Sequence, residues 1–118
     1  MAESRIHEVT FFYGDGEKIV FCLRDLPRFE YLIAHLGGVF ALYRKIAAGE
    51  WTTQMLGAVL GWGYNGGFAH TLPASFRDLL ERYPGYFAPL TARVLEAGLF
   101  GVRPEEATMS FALDEEAA

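Results

Sequence analysis

One cysteine, Cys22, stands in the 118 residues, so no intrachain disulfide can form and the chain suits a reducing compartment. Long hydrophobic runs are missing as well. The longest candidate, Met55 to Trp62, is broken by Gly57 and Gly61. It falls well short of the roughly 18 residues that suggest a transmembrane helix. The opening MAESRIHEV is charged and lacks the apolar core of a signal peptide. Positive charge is in deficit: 10 Lys and Arg are scattered among 15 Asp and Glu, for a formal net charge of −5. That balance offers no general attraction for nucleic acid or an anionic membrane. A soluble cytoplasmic protein is expected, with neither nucleic acid nor membrane as partner.

What is present is apolar and aromatic. Hydrophobic residues make up 52% of the chain, aromatics 15% and charged residues only 21%. This is the composition of a globular chain, long enough for one domain with a core of its own. IHEVTFFY and KIVFCLR, rich in β-branched and aromatic residues, flank GDGE and read as a hairpin. Asp15-Gly16 is the dipeptide of a tight type I′ turn, whose central residues need positive φ. Such a turn pairs Phe12 with Ile19, Thr10 with Phe21, Glu8 with Leu23, Phe11 with Val20 and Val9 with Cys22. Both faces are then apolar near the turn, whereas a hairpin open on one side alternates apolar and polar residues. Helices of the same chain can cover one face. Either a partner covers the other, or the hairpin is wedged between helices.

Beyond the hairpin the period changes to that of helices. Phe29, Leu32, Ile33 and Leu36 form one stripe, with Asp25 as N-cap, Pro27 in the first turn and Gly37-Gly38 as the stop. Val39, Leu42, Tyr43 and Ile46 form the next, ended by Gly49. Thr52 or Thr53 caps a third helix with Met55, Leu56, Val59 and Leu60 inside. A fourth buries Phe76, Leu79 and Leu80 and exposes Arg77, Asp78, Glu81 and Arg82. A fifth carries Phe87, Leu90, Val94 and Leu95 and closes at Gly98 or Gly101, with Pro89 near its first turn. The expectation is an α+β, mostly α domain. It comprises an N-terminal β-hairpin over residues 6–24 and about five short helices over 25–101, followed by a mobile acidic tail over 102–118. In that tail Phe111 and Leu113 form a short apolar segment.

Gly61, Gly63 and Gly66 in GWGYNGG have the G-x-G-x-x-G spacing of a dinucleotide loop. Such a loop needs a strand before it and a helix N-terminus after it, where backbone N–H groups meet the pyrophosphate. Here the glycines follow the helical run TTQMLGAVL, and the chain has about two strands. Gly61 and Gly63 instead let a helix pack closely or end, and Asn65-Gly66-Gly67 supply a left-handed turn. Other chemistry is equally sparse. Ser4, Ser75 and Ser110 lie outside any nucleophile elbow, and Cys22 reads as a small core hydrophobe. His7, His35 and His70 lack zinc-site spacing. Glu105-Glu106 and Glu115-Glu116 read as solvating charge. A non-enzyme without cofactor or metal is expected. The candidate protein-contact residues are Phe11 and Val20 in the hairpin, and Trp51, Trp62, Tyr64 and Phe68 around the third helix. For the second group, filling the core and presenting a binding patch both remain open.

The order of features resembles the tail assembly chaperones of phages and gene transfer agents, small proteins encoded beside the tape-measure protein. The resemblance spans Glu8 to Gly101. It rests on a strand running into a leucine-rich helix with a central Glu (Leu26, Phe29, Glu30, Leu32). A helix before a Gly-containing link follows, then an apolar helix ending in glycines, and a last helix ending LFG. The aromatic GEWTTQM and GWGYNGG segments depart from the pattern. The resemblance implies a non-enzymatic protein that binds and shields the tape-measure protein, contacts other tail proteins, self-associates and works in the bacterial cytoplasm. The alternatives are a structural virion protein associated with the tail tube, and an unrelated small cytoplasmic binding module. If one hairpin face meets a partner, charging Phe11 or Val20 should weaken association and leave a folded monomer.

Overall fold

In the computed structural model, which describes residues 7–13 and 17–110, strands β1 (Glu8–Tyr13) and β2 (Glu17–Cys22) form an antiparallel hairpin. Val9 lies opposite Phe21, Phe11 opposite Ile19 and Tyr13 opposite Glu17. This register differs by one residue from the expected one. The Asp15-Gly16 turn lies outside the described residues. Successive strand residues face opposite sides, so a one-residue slip exchanges partners between the two faces. In the observed register Val9, Phe11, Ile19 and Phe21 share one face and all are buried. Thr10, Phe12, Lys18 and Val20 share the other. The expectation of two apolar faces is corrected: one face is core, and the other mixes polar residues with partly exposed apolar ones.

A third strand also corrects the sequence reading. β3 (Thr108–Ser110) runs parallel to β1 and gives the sheet order β2-β1-β3. The Thr10 N–H donates to the Ala107 carbonyl at 2.7 Å, Arg93 donates to the Glu106 carbonyl, and Val102 is buried. Residues 102–110 therefore belong to the domain rather than to a mobile tail. Residues 111–118, with Phe111 and Leu113, lie outside the described residues.

Five helices follow the hairpin, as the periodicity predicts: α1 (Leu26–Leu32), α2 (Val39–Ala47), α3 (Thr53–Gly67), α4 (Ala74–Arg82) and α5 (Pro84–Leu99). The fold is α+β and mostly helical. Asp25 caps α1, its Oδ1 accepting from the Arg28 N–H at 3.4 Å, and the Thr52 hydroxyl accepts from the Met55 N–H at 3.2 Å. α1 stops at Leu32, one turn earlier than its stripe suggests, and a single 3-10 turn, Ala34–Leu36, completes the segment. α5 begins at Pro84, so Pro89 sits beyond the first turn. Its missing N–H faces the carbonyl side of exposed Gly85, where water can substitute.

α3 lies against β2, α5 along β1, and α2 packs on α5. Phe11 and Phe21 from the sheet meet Phe76 of α4, with Phe87 of α5 completing the cluster at centroid distances of 5.2 to 6.3 Å. The C-terminal end of α3 closes over the end of β2. Tyr64 leaves helical geometry, and Asn65, Gly66 and Gly67 turn left-handed with φ of 56°, 70° and 89°, as Asn-Gly-Gly predicts. A Cβ on Gly63 would stand 3.3 Å from the Cys22 nitrogen, and one on Gly67 only 2.5 Å from the Cys22 carbonyl oxygen. The G-x-G-x-x-G spacing is thus a packing device at a helix C-terminus. The dipole there is negative, which is the wrong end for a pyrophosphate.

Two glycines of the same helix have opposite expected responses to alanine. Gly67→Ala meets both the positive φ and the Cys22 carbonyl, and should cost about 2–4 kcal/mol. At Gly57 a Cβ finds Leu80 Cδ2 at an ordinary 3.7 Å, so Gly57→Ala should be neutral or stabilise by up to about 1 kcal/mol. Urea denaturation midpoints check both. Equal losses at the two sites would contradict the packing of α3 on β2.

Candidate functional site

The structure separates the candidate contact residues. Phe11 is 2% exposed and packs edge-on against Phe87 at 5.7 Å, so it is core and unavailable to a partner. Its assignment to a contact surface is corrected, because it points to the helix side of the sheet. Val20 is half-buried on the other face. Tyr64 is half-buried, edge-on to Phe21 at 6.2 Å. Trp51 is half-buried against the core at the N-terminal end of α3. Trp62 lies about 15 Å further along the helix, at 1.5 Å per residue. Only Trp62 and Phe68 come together on the surface.

They meet around Arg24, in the link between β2 and α1. Its guanidinium lies 4.4 Å from the centre of the Phe68 ring, which is 72% exposed, and its Nε–H donates to the Gly66 carbonyl. The Trp62 indole N–H donates to the Arg24 carbonyl at 2.8 Å. Trp62 also stacks on two rings: Phe29 of α1 at 5.5 Å and 26°, and His70 at 4.0 Å and 21°. His70 Nδ1 is 3.0 Å from the Trp62 carbonyl. His70 itself has φ 64°, a left-handed conformation that costs a non-glycine residue about 1–2 kcal/mol. A ring stack contributes roughly 0.5–1.5 kcal/mol and a hydrogen bond about as much. Strain and restraint are of one order.

Two grooves, each of about 580 Å³, flank α3. The first, between α1 and α3, is mainly apolar, with Phe29, Leu32, Ile33, Met55, Ala58 and Trp62 in its walls beside His35, Thr52 and Gln54, and no Lys, Arg, Asp or Glu among them. Leu32 at its mouth is 49% exposed, and the neighbouring Tyr31 is 81% exposed. The second, between α3 and α4, mixes Leu72 and Leu80 with His70, Thr71, Arg77 and Glu81. Sequence reasoning missed the first groove because it placed Leu32 inside with Phe29 and Ile33. It also missed a smaller patch. Phe40, 53% exposed, meets Phe100, 56% exposed, at 5.9 Å, with Arg44 near Phe40. Phe40 lies off the apolar stripe of α2, and that was the available signal.

Chemistry-bearing groups are dispersed. Among the described residues, no three His, Cys, Asp or Glu side chains gather in a metal-binding arrangement. His7 Nδ1 contacts the Ala97 carbonyl at 2.8 Å, and His35 lies in the 3-10 turn. No helix among the described residues is long and apolar enough to cross a membrane. Burial, then the hydrogen bond to Glu96 at 3.1 Å, raises the Tyr43 hydroxyl above its ordinary 10.0. Burial raises the Cys22 thiol above 9.0. No family model, curated protein or solved structure matches the chain.

Two outcomes follow. Phe11→Ala should cost about 3–5 kcal/mol, whereas Phe68→Ala should change stability by under about 1 kcal/mol; thermal or urea unfolding separates them. The raised pKa values mean that the fold holds more protons than the unfolded chain at alkaline pH. The contribution of these two groups to stability is therefore fully present below about pH 9 and is lost as pH rises through their folded values. Tyr43→Phe should flatten the part of that fall above about pH 10, and Cys22→Ala the part that begins near pH 9. Unchanged slopes of denaturation midpoint against pH would remove these groups as its source.

Proposed function

We propose that this chain is a non-enzymatic tail assembly chaperone of a phage or gene transfer agent. In this reading it acts in the bacterial cytoplasm, where it binds and shields the tape-measure protein during tail morphogenesis. The observation that supports the reading is the mainly apolar groove between α1 and α3, with half-exposed Leu32 at its mouth. An amphipathic helix lays its apolar stripe into such a groove, with side chains at i, i+3, i+4 and i+7 as anchors. Phe29 and Leu32, two of the residues that carry the family resemblance, line it. The net charge of −5 favours solubility of a complex that covers an apolar client.

The exposed Phe40–Phe100 pair favours a second reading, a structural component that self-associates within the tail. Co-expression with a tagged tape-measure protein, followed by affinity purification and sizing, separates the two. The chaperone reading expects stoichiometric co-purification, lost at least tenfold in Leu32→Glu, and absence of the protein from mature particles. Polymerisation without tape-measure binding, or retention in particles, favours the structural reading. Neither behaviour would overturn both.

A further inference from the structure

The two grooves share a wall. Trp62 lines the apolar groove between α1 and α3, and the His70 ring stacked on it at 4.0 Å lines the groove between α3 and α4. Three features bear on how firmly this contact is held. His70 is exposed, so no surrounding core holds it in place. Its left-handed φ of 64° relaxes if the ring is let go. The ring contact and the side-chain polar contact of His70 both come through residue 62, as the stack and the approach of Nδ1 to the Trp62 carbonyl. Restraint and strain are of similar size, so a modest displacement of the indole decides which prevails.

We propose that the Trp62–His70 stack is a latch coupling the two grooves. An occupant of the α1–α3 groove that turns the indole releases His70 from the left-handed region and reshapes the α3–α4 groove. An occupant of the α3–α4 groove that holds His70 in place favours the indole position of the unfilled apolar groove. The coupling is reciprocal, as linkage requires, and holds whichever partner fills the apolar groove.

The test fills the groove from within, so that no ligand has to be known. Ala58→Phe places a ring on α3 one turn before Trp62, inside the apolar groove. The readout is the imidazole proton resonances in the NMR spectrum. There are only 3 histidines, and the His70 signals are identified by their loss in His70→Gln. In the parent chain the stacked indole shifts them upfield. The latch expects Ala58→Phe to move them to the position of an exposed histidine, with the far-ultraviolet circular dichroism unchanged. Should that variant fail to fold, Leu32→Trp at the groove mouth, where the side chain is already half exposed, fills the groove instead. The reciprocal arm reads Trp62 as the sole tryptophan in Trp51→Phe, where adding His70→Gly should red-shift the emission. His70 resonances that stay upfield in a folded, filled-groove variant overturn the latch. So does an indole emission indifferent to the loss of His70.

Discussion

Phe11, Phe21, Phe76 and Phe87 come from β1, β2, α4 and α5, and their edge-on and tilted contacts join the sheet to the helices. Each is buried to within about 2% of its surface, and full burial of such a ring is worth on the order of 2–3 kcal/mol. The contact requires both sheet phenylalanines to point the same way. The register that sets Val9 opposite Phe21 and Phe11 opposite Ile19 does this. A slip by one residue would send Phe11 and Phe21 to opposite faces and leave Phe76 with one of its two sheet partners. Core and register therefore specify each other.

Once the sheet is held by α4 and α5, α3 has to reach the end of β2, and glycine makes the approach possible. Gly63 and Gly67 bring the helix end to the backbone of Cys22, closer than any side chain at residue 67 permits. That seam also explains why Cys22 is buried although its neighbours on the outer sheet face are partly exposed. It fixes Trp62 beside Arg24, whose carbonyl takes the indole N–H. The surface aromatics are thus placed by a backbone contact, and the grooves on either side of α3 inherit their walls from it.

Much of this was legible in the sequence, for local reasons. Asp25 and Thr52 cap the helices they were assigned, the inward residues of α3 and α5 are buried, as are those of α2 apart from half-buried Tyr43, and Asn65-Gly66-Gly67 turns left-handed. The hairpin register was not legible, because it is set by which face the helices cover, a long-range fact that a turn dipeptide does not encode. β3 was hidden for a similar reason. Thr108–Ser110 has no period of its own and becomes a strand only because β1 offers a free edge. Among the candidate contacts, core and surface both stayed open for Phe68 in the sequence, and the structure exposes it. Phe11 was misplaced together with the register.

A local break bounds the apolar groove. Had α1 kept regular geometry to Leu36, its stripe would have carried Phe29, Ile33 and Leu36 against the domain together. The helix instead gives way after Leu32 to a 3-10 turn, which advances about 120° per residue rather than 100°. Phe29 and Ile33 stay buried and Leu36 is left half-buried, while Leu32, still within the helix, lies at the edge of the stripe and is half exposed at the groove mouth. Gly37 and Gly38, both at positive φ, then redirect the chain into α2 and hold the break in place. Folding alone gains nothing from an exposed leucine beside a mainly apolar groove. A partner that brings its own apolar face recovers the area that Leu32 leaves in water, and this is the physical sense of reading the groove as a binding surface.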